Sequence, residues 1–293
     1  MASYIGGTLA GSLTVNTDKI RDYAFYGFDK LTQLDAPEAT SIGTSAFKGC
    51  TALTKFSAPK ATTCSSSFEH PMPFTHFTAG FTIANWKATS AATQPTFTEN
   101  STIKMISLPG VTNIEAKAFY KCTSLTSAYF TSVTGASIKD NAFADCTKLV
   151  TFSAPNFSGG VGTTAFKGCA FSTIDLPNIT AIGNAAFSTC SKLKSVKLPK
   201  CTSLSANAFY SIVNNIEDID IGVATAAAIF SKASKLTSVT MSKATSVAAN
   251  AFLGCEKLKD LSFPNLATVS TSAFAGCKAL SQISFPKATT IGT

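Results

Sequence analysis

Charge is scarce in this 293-residue chain: 14% of its residues are Asp, Glu, Lys or Arg, against about 25% in an ordinary globular domain. Disordered tails and coiled coils are rich in charge, so both are set aside. Arginine is nearly missing, Arg21 being the only one among 24 basic residues. Bidentate reading of phosphate or guanine leans on Arg. The net charge of +8 therefore argues for solubility and weak attraction to anions, and against specific nucleic-acid binding. Ser, Thr or Lys interrupts every apolar stretch before it reaches about 18 residues, so no membrane insertion is expected. Met1 to Val15 has neither a basic residue nor a continuous apolar core, and no secretory signal is expected in the chain.

The inventory for chemistry is equally thin. Gly-x-Ser-x-Gly, the phosphate-binding loop and the dinucleotide fingerprint are all absent, and Gly159-Gly160-Val161-Gly162 reads as a turn between a strand and a helix. The nine cysteines are an odd number and contain no Cys-x-x-Cys pair. Cys64, His70 and His76 stand six apart and include both histidines, but the spacing matches no structural zinc pattern. No catalytic residue, cofactor or metal site is expected, and the chain is read as a non-enzyme. Three Asn-x-Ser/Thr sequons, at Asn100, Asn156 and Asn178, are matches that chance alone supplies in so hydroxyl-rich a chain.

What the chain has is a repeat. Ala-Phe recurs with Phe at 25, 47, 119, 143, 166, 187, 209, 252 and 274, and Phe68, Phe97 and Phe230 complete the series. Ten intervals of 21 to 24 residues are broken by one of 29, between Phe68 and Phe97. Cys follows three residues after Phe in seven units, at 50, 122, 146, 169, 190, 255 and 277. Ala and Cys four apart share a face of a helical turn, so Ala-Phe-x-x-Cys predicts a short helix facing inward. An alternating stretch follows, as at Leu34, Phe56, Ile106, Val196, Leu261 and Ile283, which predicts a short strand. Pro then ends the ladder in eight units. The periodic cysteines, with Cys64 and Cys201 at other inward positions, read as buried free thiols.

The unit Leu193-Lys194-Ser195-Val196-Lys197-Leu198-Pro199, preceded by Ala186-Phe187-Ser188-Thr189-Cys190 and by Ile182-Gly183, resembles the BspA-like, or treponemal-type, leucine-rich repeat. The resemblance runs from about Ile20 to Gly292. It implies an α/β repeat solenoid, with a parallel sheet on the concave side and short helices or turns on the convex side, in about 12 repeats of ~22 residues. Residues 1–19 are expected to form an N-terminal cap segment, and 20–293 a single solenoid with an irregular insertion around 69–96. Units three and ten depart from the pattern: Phe68 and Phe230 lack the Cys and Pro, and Gly80 and Gly222 stand at the Pro position. Thr82–Ala88 and Thr225–Phe230 read as related helical variants of the convex element. The chain stops about three residues before another anchor Phe would fall, and terminal repeats normally need a polar cap. A piece of a longer protein, or a partly exposed last unit, is the expectation.

The resemblance implies a surface or secreted adhesion protein, engaging a protein or glycan ligand such as a host extracellular matrix or surface protein. A structural spacer, or a segment of a surface appendage or phage-tail receptor protein, is the alternative. A spacer should present a uniform hydroxylic sheet, whereas a binder should concentrate charges and aromatics. Most outward strand positions are Ser or Thr, but Tyr129, Asp175, Lys197, Asp218 and Asp220 are not. In register, Asp175, Lys197 and Asp220 become neighbours, either as a charge-compensated ladder or as a ligand patch. The long interval holds Trp86, His70 and His76, and repeat insertions often mark a binding face. Trp86 and Phe81 as packing that fills an irregular repeat is the alternative there.

Overall fold

The computed structural model describes residues 9–64, 67, 68, 73–79, 97–111, 113–131, 137–226 and 228–292. Parallel strands, one per repeat, form a front row. Gly11–Thr14, Leu31–Asp35, Lys55–Ala58, His76–Ala79, Met105–Ser107, Ser127–Tyr129 and Thr151–Ser153 make a seven-stranded sheet. Thr173–Asp175, Ser195–Leu198, Asp218–Ile221, Ser238–Thr240 and Asp260–Ser262 make a five-stranded one. Between the two, the stack continues through the Ala170 N–H, which donates to the Leu149 carbonyl at 3.0 Å. Eleven of these twelve strands follow an anchor Phe, and the expected one at Ile283 is unpaired, with Ile283 itself 49% exposed. The twelfth is Gly11–Thr14, from the segment expected to be a cap, which pairs with Leu31–Asp35.

A second row of two-residue strands runs behind the first. Lys19–Ile20, Ser41–Ile42 and Thr63–Cys64 form one group; Gly160–Val161, Ala181–Ile182 and Ser203–Leu204 another; Thr225–Ala226, Ser246–Val247, Thr268–Val269 and Thr290–Ile291 a third. The stretch read as a glycine turn is thus a rung, with Gly160 opposite Ala181. Threonine hydroxyls reinforce both rows by donating to the carbonyl of the repeat before. Thr54 bonds Thr32 at 3.1 Å and Thr126 bonds Lys104 at 2.9 Å in the front row, and Thr40 bonds Asp18 at 2.9 Å in the second. Part of the hydroxyl richness is therefore structural.

The convex segment corrects the helix expectation. Alternate N–H groups point in different directions there: Ala24 and Tyr26 donate within their repeat, to Arg21 and Tyr23. Tyr23, Phe25 and Gly27 instead donate to Thr44, Ala46 and Lys48 of the next repeat, at 3.0, 2.8 and 2.8 Å. This third ladder needs left-handed residues two before and two after the Phe, as at Tyr23 (φ 56°) and Gly27 (φ 74°), or Asn141 (φ 56°) and Asp145 (φ 61°). A helix needs consecutive right-handed residues, so the segment is a run of turns. Among the described residues only Val213–Asn215 and Ala228–Phe230, both 3-10, are helical. The second lies in the Thr225–Phe230 variant, whereas Thr82–Ala88 falls outside the described residues.

Glycine takes the second left-handed position at 27, 49, 168, 254 and 276, but Thr189 takes it at φ 57°. A β-branched residue in that region is strained by about 1–2 kcal/mol. Thr189→Gly is therefore expected to stabilise the protein by about 1 kcal/mol, part of the relief being offset by glycine's extra freedom when unfolded. An unchanged or lowered denaturation midpoint would contradict this.

Between the rows lies one continuous core. The anchor rings stack in parallel along it: Phe119–Phe143 at 5.0 Å, Phe143–Phe166 at 5.4 Å, Phe166–Phe187 at 5.6 Å and Phe187–Phe209 at 5.6 Å. At the long interval, Phe74 and Phe77 sit between Phe68 and Phe97, with centroids 5.6 Å for Phe68–Phe74 and 5.6 Å for Phe77–Phe97. Each periodic cysteine donates its thiol proton to the anchor Phe carbonyl of an earlier repeat, as Cys122 does to Phe97 at 2.7 Å and Cys190 to Phe166 at 3.0 Å. Cys50, Cys146, Cys169, Cys255 and Cys277 repeat the contact with Phe25, Phe119, Phe143, Phe230 and Phe252. None of the nine cysteines forms a disulfide, and only Cys64 and Cys277 are partly exposed.

Candidate functional site

The outward face of the front row collects the exposed side chains, because strand alternation turns Phe56, Phe77, Ile106, Val196 and Ile219 inward, where all are buried. The expected juxtaposition forms: Asp175 is opposite Lys197, and Lys197 opposite Asp220. Asp218 lies between Ser195 and Ser238 and accepts from the Ser195 hydroxyl at 3.1 Å. Asp260 follows opposite Ser238.

Register does not make these charges a closed ladder. The ion pairs among the described residues are Lys60–Glu38, Lys121–Glu99, Lys194–Glu217 and Lys278–Glu256, and none includes Asp175, Lys197 or Asp220. Partial burial raises the Asp220 carboxyl above its ordinary range, Asp218 and Asp175 push the same way, and Lys197 offsets only part. The outward strand positions at this end are acidic, with Lys197 among Asp175, Asp218, Asp220 and Asp260, while Lys194, Glu217 and Lys259 stand at the strand entrances. No set of three or more His, Cys, Asp or Glu side chains among the described residues is arranged to hold a metal ion.

Toward the other end, His76 lies between Lys55 and Met105. Burial lowers its pKa first, and Lys55 and Lys104 lower it further. Neither lysine stood out in the sequence, since each is one of many; the signal was their place beside the strand that carries His76. Tyr129 stands between these poles, opposite Ser107 and Ser153. His70 and Trp86 lie outside the described residues.

Cavities are small. Two hollows of about 220 and 180 Å³ share Ile229 as a wall, below the ~300–1,000 Å³ usual for small-molecule sites. They mark irregular unit ten, where the ring stack widens to 6.3 Å between Phe209 and Phe230 and the second row breaks between Ser203–Leu204 and Thr225–Ala226. Gly222 is required here, because a Cβ would collide with the Pro199 carbonyl of the repeat before. Two sequon amides act as rungs: Asn156 and Asn178 donate through Nδ2 to the Thr131 and Pro155 carbonyls, both at 2.6 Å.

Comparison with known proteins agrees with this architecture. The BspA type leucine-rich repeat region matches residues 17–149, 112–226 and 223–293, in 6 copies. No curated protein matches the chain in sequence. Among solved structures, a leucine-rich repeat protein from Bacteroides ovatus is 16% identical, with 96% of this chain and 92% of that one covered and a TM-score of 0.46. The Treponema pallidum leucine-rich repeat protein is 25% identical over 61% of this chain and 78% of its own, with a TM-score of 0.36. The structure of the Drosophila Toll–Spatzle complex shares the fold at a TM-score of 0.51 and 15% identity, with 96% of this chain and 44% of that one covered. No helix among the described residues is long and apolar enough to cross a membrane. With the family's repeat matched from residue 17 to residue 293 and one parallel strand per repeat, this chain belongs to the BspA-type leucine-rich repeat family.

Proposed function

We propose that this protein is a non-enzymatic recognition scaffold, placed at the cell surface or secreted, that binds a protein or glycan partner through the outward face of its front row. The observation that carries the reading is the uneven chemistry of that face. Asp175, Asp218, Asp220 and Asp260 gather within five strands at one end, Lys55 and His76 adjoin at the other, and Tyr129 stands between. A spacer has no need for such segregation. The partner meets a broad surface, since the face is an open sheet and the two hollows at Ile229 are too small to enclose a ligand of ordinary size. Toll, in its complex with Spatzle, offers a precedent in the same fold for engaging a protein. Host extracellular matrix or surface proteins are the partner class to examine.

The test is a screen of the purified chain against matrix proteins and a glycan array. Each hit is repeated with Asp175→Asn/Asp218→Asn/Asp220→Asn and with Lys55→Met/Lys104→Met. One of the two variants is expected to lose about tenfold or more in affinity, as removal of charge-assisted contacts does. A chain that binds nothing acts as a spacer, and hits that ignore both variants would overturn the assignment of binding to this face.

A further inference from the structure

The basic end of the front face has a chemistry of its own. Thr54, at the entrance to its strand, accepts from the Thr75 and His76 N–H groups at 2.7 and 3.2 Å, and Thr75 accepts in turn from Lys104 and Met105 at 2.8 and 3.0 Å. These bonds fix three strands so that Lys55, His76 and Met105 stand in one row, with Lys104 at the strand entrance beside it, near enough for its charge to act on the His76 ring. The His76 ring is also oriented. The Thr75 hydroxyl spends its proton on the Thr54 carbonyl at 3.0 Å, so towards His76 Nδ1, 3.0 Å away, its oxygen accepts. Nδ1 then carries the ring proton and Nε2 a lone pair, a tautomer assigned from these bonds.

Two residues along the same strands, Ser57, Thr78 and Ser107 form a row of hydroxyls in register, which Tyr129 closes. The carboxylate on the strand before is Asp35, opposite Ser57 rather than Lys55. Neither Lys55 nor Lys104 enters an ion pair among the described residues. The patch thus offers two ammonium groups, a ring nitrogen that accepts, a line of hydroxyls and a phenol, all on a rigid sheet.

We propose that Lys55, His76 and Lys104 form an anion subsite for an acidic saccharide, whose carboxylate or sulfate meets the two ammonium groups while its hydroxyls meet His76 Nε2 and the row Ser57, Thr78 and Ser107. A saccharide fits better than an acidic peptide because hydroxyl donors and acceptors outnumber the charges, and because Tyr129 provides a flat apolar surface beside them. The inference rests on the recognition-scaffold reading and names the ligand class for one end of the face.

The experiment follows the His76 imidazole by NMR in the full chain, its signal identified by its loss in His76→Gln. Titrations are run alone and with a sulfated disaccharide, a uronate-containing disaccharide, a neutral disaccharide and an acidic hexapeptide. A bound anion offsets the two lysines and favours the imidazolium, so His76 is expected to titrate at higher pH with one of the acidic disaccharides, and the stronger of the two identifies the group recognised. Lys55→Met/Lys104→Met should weaken that binding about tenfold or more while leaving the circular dichroism spectrum unchanged. Identical titrations with and without the acidic disaccharides would overturn the subsite, as would a hexapeptide or neutral sugar that shifts His76 as far. Partner binding that depends on Asp175, Asp218 and Asp220 would survive such a failure, so the broader reading is judged separately.

Discussion

Phe187→Ala is expected to cost about 3–5 kcal/mol, the range for a fully buried aromatic truncated in a tight core. The ring is entirely buried and stacked on both flanks, against Phe166 at 3° and Phe209 at 13°, with the edge of Phe171 at 6.3 Å. Its removal opens a gap shared by two repeats, and because each repeat is stabilised by its neighbours the loss spreads along the stack. Phe25→Ala should cost clearly less. That ring is only partly buried, and its single parallel neighbour is Phe47 at 5.3 Å. Chemical denaturation followed by circular dichroism checks both, and equal losses would mean that Gly11–Thr14 and the residues around it hold the first repeat as firmly as the middle ones.

Thiol reactivity should be suppressed by about a thousandfold at Cys190 and Cys255 in the native protein. Burial pushes the Cys190 and Cys255 thiols up to about 12 and Cys50 to about 11, and holds Cys146 and Cys169 well above the ordinary range. At pH 8 a thiol of pKa ~12 is ionised to about one part in ten thousand, against roughly a tenth for an ordinary cysteine at 9.0. Labelling should therefore become complete only on unfolding, with the partly exposed Cys277 modified first; rapid native labelling of several cysteines would refute the buried ladder. Stability should respond to pH in the matching sense. A folded thiol that keeps its proton when the unfolded one loses it contributes fully below the ordinary pKa of 9.0, and that contribution is lost as pH rises from there towards about 12. Unfolding free energy should thus fall across that alkaline window.

Repeat length, anchor Phe, the cysteine ladder and eleven of the twelve front-row strands were legible in the residues, the strand Gly11–Thr14 being the exception. Each is written by a side chain whose burial recurs at a constant offset, and every repeat restates it. The second row was not, since two-residue strands such as Ser41–Ile42 are too short for an alternation to register. Ala-Phe-x-x-Cys pointed to a helix because four-residue spacing also fits a helical face; the left-handed residues that forbid one, including Lys121, Asp145 and Thr189, carry no consistent side-chain signature. For the candidate site, the row Asp175, Lys197, Asp220 could be anticipated by counting one period. The placing of Lys55 and Lys104 beside His76 could not, because the 29-residue interval hides which position of one repeat meets which of the next.

Composition and periodicity were enough to settle that this chain stacks as a solenoid. A unit of about 22 residues buries its Phe, Cys and strand residues only against copies of itself, and that requirement is present in the residues of every unit. Which charges would face one another across strands, which thiols would meet a carbonyl, and where the stack would open at Phe209 and Phe230 were left to the tertiary structure. Those relations join residues at least 20 positions apart, and the backbone bonds between repeats, which any side chain permits, set their register.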